Sequence, residues 1–96
     1  MSRDTMLRVL CYDVSSDRRR RSIARLLEDH ASRVQLSVFE ARLTSKALLR
    51  LVREVEAQLG EGDSLRVYTI SATGERQSEV LGHGVPIEPG EAFWLM

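Results

Sequence analysis

The spacing of apolar residues changes its period along the first 70 residues, and the order of those periods is what most narrows the fold. The run Leu7-Arg8-Val9-Leu10-Cys11-Tyr12-Asp13-Val14 has no helical spacing and reads as a strand largely buried on both faces. Ser15, Ser16 and Asp17 supply N-cap side chains for a helix in which Ile23, Leu26, Leu27 and Ala31 stand three and four residues apart, so that one face packs on a sheet. This helix is expected to end near Ala31 or Ser32. From Arg33 to Leu43 the period becomes two: Val34, Leu36 and Val38 share one face, and Phe39, Ala41 and Leu43 continue with the opposite parity. A shift of one residue turns every following side chain to the other face, so a bulge, a bend or a break into two short strands is expected at Val38-Phe39. Thr44 or Ser45 caps a second helix with Leu48, Leu51, Val52, Val55 and Leu59 on one stripe, Gly60 supplies its stop, and Gly62-Asp63 turns into a strand from Leu65 to Ile70.

The tail is punctuated by Gly74, Gly82, Gly84, Pro86, Pro89 and Gly90, which leaves room only for short strands at about Ser78 to Leu81 and Ala92 to Met96. Phe93, Trp94, Leu95 and Met96 are expected to pair with a sheet edge in this chain or in another. The order of elements is βαββαβ: an α+β sandwich of ferredoxin-like type, with two helices on one face of an antiparallel sheet and an extra C-terminal strand. A chain of 96 residues is expected to form a single domain, with a core from about residue 6 to 71 and a strand-forming tail from 72 to 96. Such a core is modest, and a second chain could supply the missing burial.

Charge is balanced in total but not along the chain. Residues 1 to 53 carry 12 Lys and Arg against 6 Asp and Glu, whereas residues 54 to 96 carry 2 against 8. A basic half of this kind offers a phosphate-binding face; alternatively the two halves neutralise each other in the fold. Cys11 is the only cysteine, which excludes an intramolecular disulfide and a multi-cysteine zinc site and fits a reducing compartment. It reads as a small buried hydrophobe within its strand. No stretch approaches the roughly eighteen apolar residues of a membrane span, and Met1 to Met6 lack the apolar run of a signal peptide, so a soluble, cytoplasmic protein is expected.

Asp13 at the strand exit stands just before Arg18, Arg19, Arg20 and Arg21. A carboxylate beside a block of cations is what a hard metal ion and a phosphodiester would both need. Four arginines at the positive end of a helix dipole oppose it, and a bound anion would relieve them. A helical turn spreads four consecutive residues around its circumference, so only some of them can face one ligand; Arg20 is the first choice. One carboxylate is a poor magnesium site, since the ion takes about six oxygens, so the rest must come from elsewhere. Read without the arginines, Asp13 is a turn-capping residue. Arg33, Gln35 and Ser37 form a polar row that on a central strand would need a partner, water or a ligand, and on an exposed one would need nothing. His30 and His83 have no spacing to Cys11 or to each other that suggests zinc or a nucleophile pair, and Ser37 has no evident base.

Tyr12-Asp13-Val14-Ser15, the arginine-rich helix start, and Arg33-Val34-Gln35-Leu36-Ser37-Val38-Phe39-Glu40 together resemble the small CRISPR-associated protein family that partners the integrase subunit in spacer acquisition. Asp63-Ser64-Leu65-Arg66-Val67-Tyr68 is similar to that family's strand after the second helix, and the resemblance runs from about Met6 to Ile70. It departs at His30-Ala31, where an aromatic followed by glycine is usual, and at Ser22, where a further basic residue often lies. The resemblance implies a ferredoxin-like homodimer serving antiviral defence, in which strand-end aspartates of two protomers, here Asp13, approach the two-fold axis and share magnesium, or manganese in its place. Tyr12, Arg20, Arg33, Ser37 and Phe39 match other motif positions. The activity implied is metal-dependent endonucleolytic hydrolysis of RNA or duplex DNA. The alternative it implies is a non-catalytic scaffold that binds the DNA backbone and bridges integrase dimers. A third reading, a small ferredoxin-like regulator or toxin-type ribonuclease, would be favoured by a monomer.

Overall fold

The computed structural model describes residues 5 to 87. Strand β1 (Met6–Asp13) leads through a short turn into helix α1 (Asp17–Glu28), followed by the hairpin β2 (Ser32–Gln35) and β3 (Val38–Leu43), helix α2 (Ser45–Glu56), strand β4 (Ser64–Ile70) and a short helix α3 (Ala72–Arg76). The sheet runs in the order β2-β3-β1-β4 with every neighbouring pair antiparallel, which with this connectivity is the ferredoxin-like topology.

Register explains the two faces. Leu10 pairs with Phe39 and Val67, and Tyr12 with Leu65, so these side chains share the face covered by helices. Onto it α1 presents Ile23 and Leu27 and α2 presents Leu51 and Val55, all four buried and all at the helical spacing read from the sequence. Val9, Cys11 and Asp13 take the opposite parity with Glu40, Val38 and Ser64 as partners. One end of that second face is covered by α3, which an ion pair between Arg42 and Glu75 ties to β3. Arg8 is a buried cation on the helical face; it donates to the Leu43 carbonyl at 3.1 Å and the Thr69 hydroxyl at 2.8 Å.

Several sequence expectations are corrected. Helix α1 stops at Glu28, short of Ala31, because the Asp29 and His30 amides close tight turns onto the Leu26 and Leu27 carbonyls. The parity change is a break into two strands, but it falls at Leu36-Ser37, just before Val38. A register irregularity between Arg33 and Gln35 accompanies it. The strand that carries Arg33 and Gln35 lies at the sheet edge, so these two residues of the polar row are exposed, while Ser37 falls in the turn and is half-buried. Gly60 is not the stop of α2: Ala57 is the cap, and among the described glycines only Gly62 and Gly82 have positive φ. Cys11 is half-buried, not fully enclosed. Ser78 to Leu81 form no strand; the Ser78 amide and hydroxyl close the end of α3, and Val80 and Leu81 are exposed. Ala92 to Met96, where a last strand is expected, lie outside the described residues. Among the described residues no helix is long and apolar enough to cross a membrane.

Candidate functional site

The turn between β1 and α1 is shaped by its own side chains. Ser16 has an extended backbone and its hydroxyl accepts from the Arg19 amide at 3.2 Å, which caps α1 and lets it start at Asp17. The Asp17 carboxylate then stands at the positive end of the helix and pairs with Arg20. Arg20 also folds back over the turn, donating through one nitrogen to the Val14 carbonyl at 2.9 Å and to the Ser15 carbonyl at 3.4 Å.

Between α1 and the β2–β3 turn lies an open groove of about 690 Å³. Asp13 stands at it with Arg20, Arg21, Arg25 and Arg33, and Val14, Ala24 and Leu36 supply apolar wall. Four guanidinium groups meet two carboxylates there, Asp13 and Glu28, which favours a polyanion. Arg33 is partly engaged, 3.7 Å from Glu28 and with its guanidinium carbon 5.2 Å from the centre of the Phe39 ring. Tyr12 and Ser37 build the wall: the Tyr12 amide donates to the Ser37 carbonyl at 3.1 Å, and the buried Tyr12 ring stacks on Phe39 with centroids 6.2 Å apart.

The fold thus brings together Tyr12, Asp13, Arg20, Arg21, Arg33 and Ser37 of the residues singled out from the sequence. Phe39 lies beneath them, fully buried. Arg18 is exposed and does not line the groove. Arg19 points elsewhere, into an ion pair with Asp63 at 2.8 Å. Arg25 and Glu28 are charged groove residues that the sequence reading missed; the signal for Arg25 was its place one helical turn after Arg21, on the same face.

Asp63 is held ionised by its surroundings. The Arg19 guanidinium first, and then the amides of Gly60 and Ser15, lower its carboxyl from an ordinary 3.8 to about 2. Because the folded value lies below the unfolded one, this set of bonds contributes stability above about pH 4 and loses it as pH falls toward about 2. Acid titration of the fold by circular dichroism should therefore give a steeper loss of stability below about pH 4 for the natural protein than for Asp63→Asn. Equal slopes would contradict the assignment.

Comparison with known proteins adds to this geometry. The family described as CRISPR associated protein Cas2 matches residues 6–78. A protein of Chloroflexus aurantiacus named CRISPR-associated endoribonuclease Cas2 1 is 37% identical over 93 residues, covering 95% of this chain and 100% of its own. One from Synechocystis, named CRISPR-associated endoribonuclease Cas2 2, is 42% identical over 90 residues, covering 91% of this chain and 96% of its own. Among solved structures, a chain of a partial Cas6-RT-Cas1–Cas2 complex superposes with a TM-score of 0.74 at 26% identity, over 88% of this chain and 95% of that one.

Proposed function

The chain belongs to the CRISPR-associated Cas2 family, and from that premise we propose that it acts on nucleic acid in spacer acquisition, with magnesium-dependent endonuclease capacity at an aspartate pair formed by two copies of the chain. The observation that carries this reading is the groove in which Asp13 stands with Arg20, Arg21, Arg25 and Arg33. Phosphodiester oxygens are the ligands that such a set of guanidinium groups recognises, through charge and paired N–H donors. Backbone contacts of this kind position nucleic acid without reading its sequence.

Asp13 is one carboxylate, and among the described residues no three of His, Cys, Asp and Glu gather as a metal site. The neighbouring Val14 and Ser15 carbonyls already accept from Arg20. One chain therefore offers a single carboxylate, and Asp13 of two copies would supply two, within the one or two carboxylates that the ion commonly uses beside water and phosphate. A bound magnesium ion, or manganese in its place, would supply Lewis acidity toward the phosphate and lower the pKa of water. The chain's own part is to hold the phosphate with Arg20 and Arg33 and to offset its growing charge while water adds at phosphorus and the bond to the leaving oxygen breaks. Two features support a homodimer. The sheet face opposite the helices leaves Val9, Cys11 and Val38 only half-buried and Tyr68 exposed, and burial already raises the carboxyl of Glu40 there. Strand β4 also lies at the sheet edge. An integrase partner is supported by the related chain in the Cas1–Cas2 complex.

A non-catalytic scaffold is the second reading, and the excess of guanidinium over carboxylate groups in the groove favours it: phosphate binding needs the arginines alone. The test is cleavage of single-stranded RNA and duplex DNA by the purified protein with magnesium, manganese or chelator, beside sedimentation equilibrium. A dimer that cleaves with metal and not with chelator is expected. A dimer that binds duplex and cleaves nothing selects the scaffold, and a monomer overturns the shared-aspartate site.

A further inference from the structure

Asp63 is the residue before β4, and its side chain is fully buried. Its carboxylate accepts from three segments: the Ser15 amide of the β1–α1 turn at 3.2 Å, the Arg19 guanidinium of α1 at 2.8 Å, and the Gly60 amide of the α2–β4 loop at 2.7 Å. A buried carboxylate with this set of donors is a junction, because removing it takes one shared acceptor from a cation and two amides of three separate segments.

The junction reaches the groove in one further step. The Ser15 peptide is shared: its amide donates to Asp63, and its carbonyl, with that of Val14, receives Arg20. Asp13 is bound from the same side, since its strand partner is Ser64, the residue that follows Asp63. Gly60 completes the arrangement. A Cβ there would lie 2.7 Å from the guanidinium carbon of Arg19, so the guanidinium that grips Asp63 would have to shift, although the Gly60 backbone is of a kind that other residues adopt.

We propose that Asp63 is a positioning residue of the nucleic-acid site: by gripping Ser15 and Arg19 it fixes the β1–α1 turn, and through that turn the places of Arg20 and Asp13. The arginine run is thereby divided by role. Arg19 is a clamp that touches no phosphate, Arg20 is braced on the turn and so placed to hold the phosphate with Arg33, and Arg21 with Arg25 one turn later extends the contact along the polyanion. This inference rests on the groove being a nucleic-acid site.

The test compares Asp63→Asn, Gly60→Ala, Arg19→Gln and Arg21→Gln with the natural protein for binding to a labelled DNA duplex across a range of salt, at a temperature where circular dichroism finds each variant folded. Asp63→Asn and Gly60→Ala should weaken binding about fivefold to tenfold at each salt concentration with the slope of log affinity against log salt unchanged, because every phosphate-binding arginine is still present. Arg19→Gln should also leave the slope unchanged, whereas Arg21→Gln should reduce it by about one for each phosphate that is no longer neutralised. A purely structural role for Asp63 predicts wild-type affinity in the folded variants, and that result would overturn the proposal, as would a smaller slope for Arg19→Gln. Amide hydrogen exchange gives a second measurement that needs no nucleic acid: the Ser15 amide should exchange faster in Asp63→Asn and Gly60→Ala, and unchanged protection in both would equally overturn it. Natural protein that binds no duplex would instead overturn the functional reading of the groove, and the exchange result would still show whether the clamp exists.

Discussion

Phe39→Ala is expected to destabilise the fold by about 3–5 kcal/mol, the range for truncating a fully buried aromatic ring. Phe39 has no exposed surface and pairs across β3 with Leu10 of the central strand, so the space left behind is enclosed by sheet and helices and has little means of closing. Two groove residues also depend on the ring: Tyr12 stacks on it and Arg33 lies over it. The destabilisation should therefore appear as a large fall in the urea midpoint and, in a chain of this length, a thermal midpoint lower by more than about 10 °C. Any variant protein that stays folded should also bind nucleic acid less well. A change below about 1 kcal/mol would mean that the ring is not packed as described.

Asp13→Ala should act in the opposite way, with little effect on stability and a large one on chemistry. Asp13 is exposed, and its side chain makes no hydrogen bond or ion pair among the described residues, so the cost in folding should stay within about 0.5 kcal/mol. If the Asp13 pair holds the metal, its loss removes several kcal/mol of charge stabilisation, and metal-dependent cleavage should fall at least about 100-fold. Duplex affinity should hold or rise slightly, since a carboxylate has left an arginine-lined groove. Cleavage at the natural rate would remove Asp13 from the chemistry. Spacer acquisition that survives the loss of cleavage in a host carrying the integrase would select the scaffold reading.

Much of the sheet-and-helix frame was legible because it rests on periodicity. Ile23 and Leu27, and Leu51 and Val55, fall on the buried stripes that their spacing requires. The parity change between Val38 and Phe39 announced a break, but its place depends on which residues the turn takes, and Leu36 and Ser37 take it. Helix α3 gave little signal: it has five residues with Gly74 in the middle, and its Ser71 cap accepts from the Gly74 amide. The pattern around Asp13 was legible as a pairing of charge types, whereas the division of labour in the arginine run was not. What decides it is Asp63, 44 residues from Arg19, and a loop glycine whose value lies in the space it leaves for that guanidinium. Of the two outcomes that the charge asymmetry allowed, the ion pairs show the neutralising one in part. Arg19–Asp63 and Arg42–Glu75 join the basic half to the acidic half, while Arg21 and Arg25 line the groove.

A phosphate backbone held in the groove beside Asp13 should show itself in the salt dependence of duplex binding for the natural protein and for Arg21→Gln/Arg25→Gln. The natural protein should lose affinity linearly in log–log form as salt rises, and the double variant should bind more weakly with a slope smaller by about one for each arginine that has left a phosphate. A double variant with the natural slope and affinity would mean that the groove holds no phosphate.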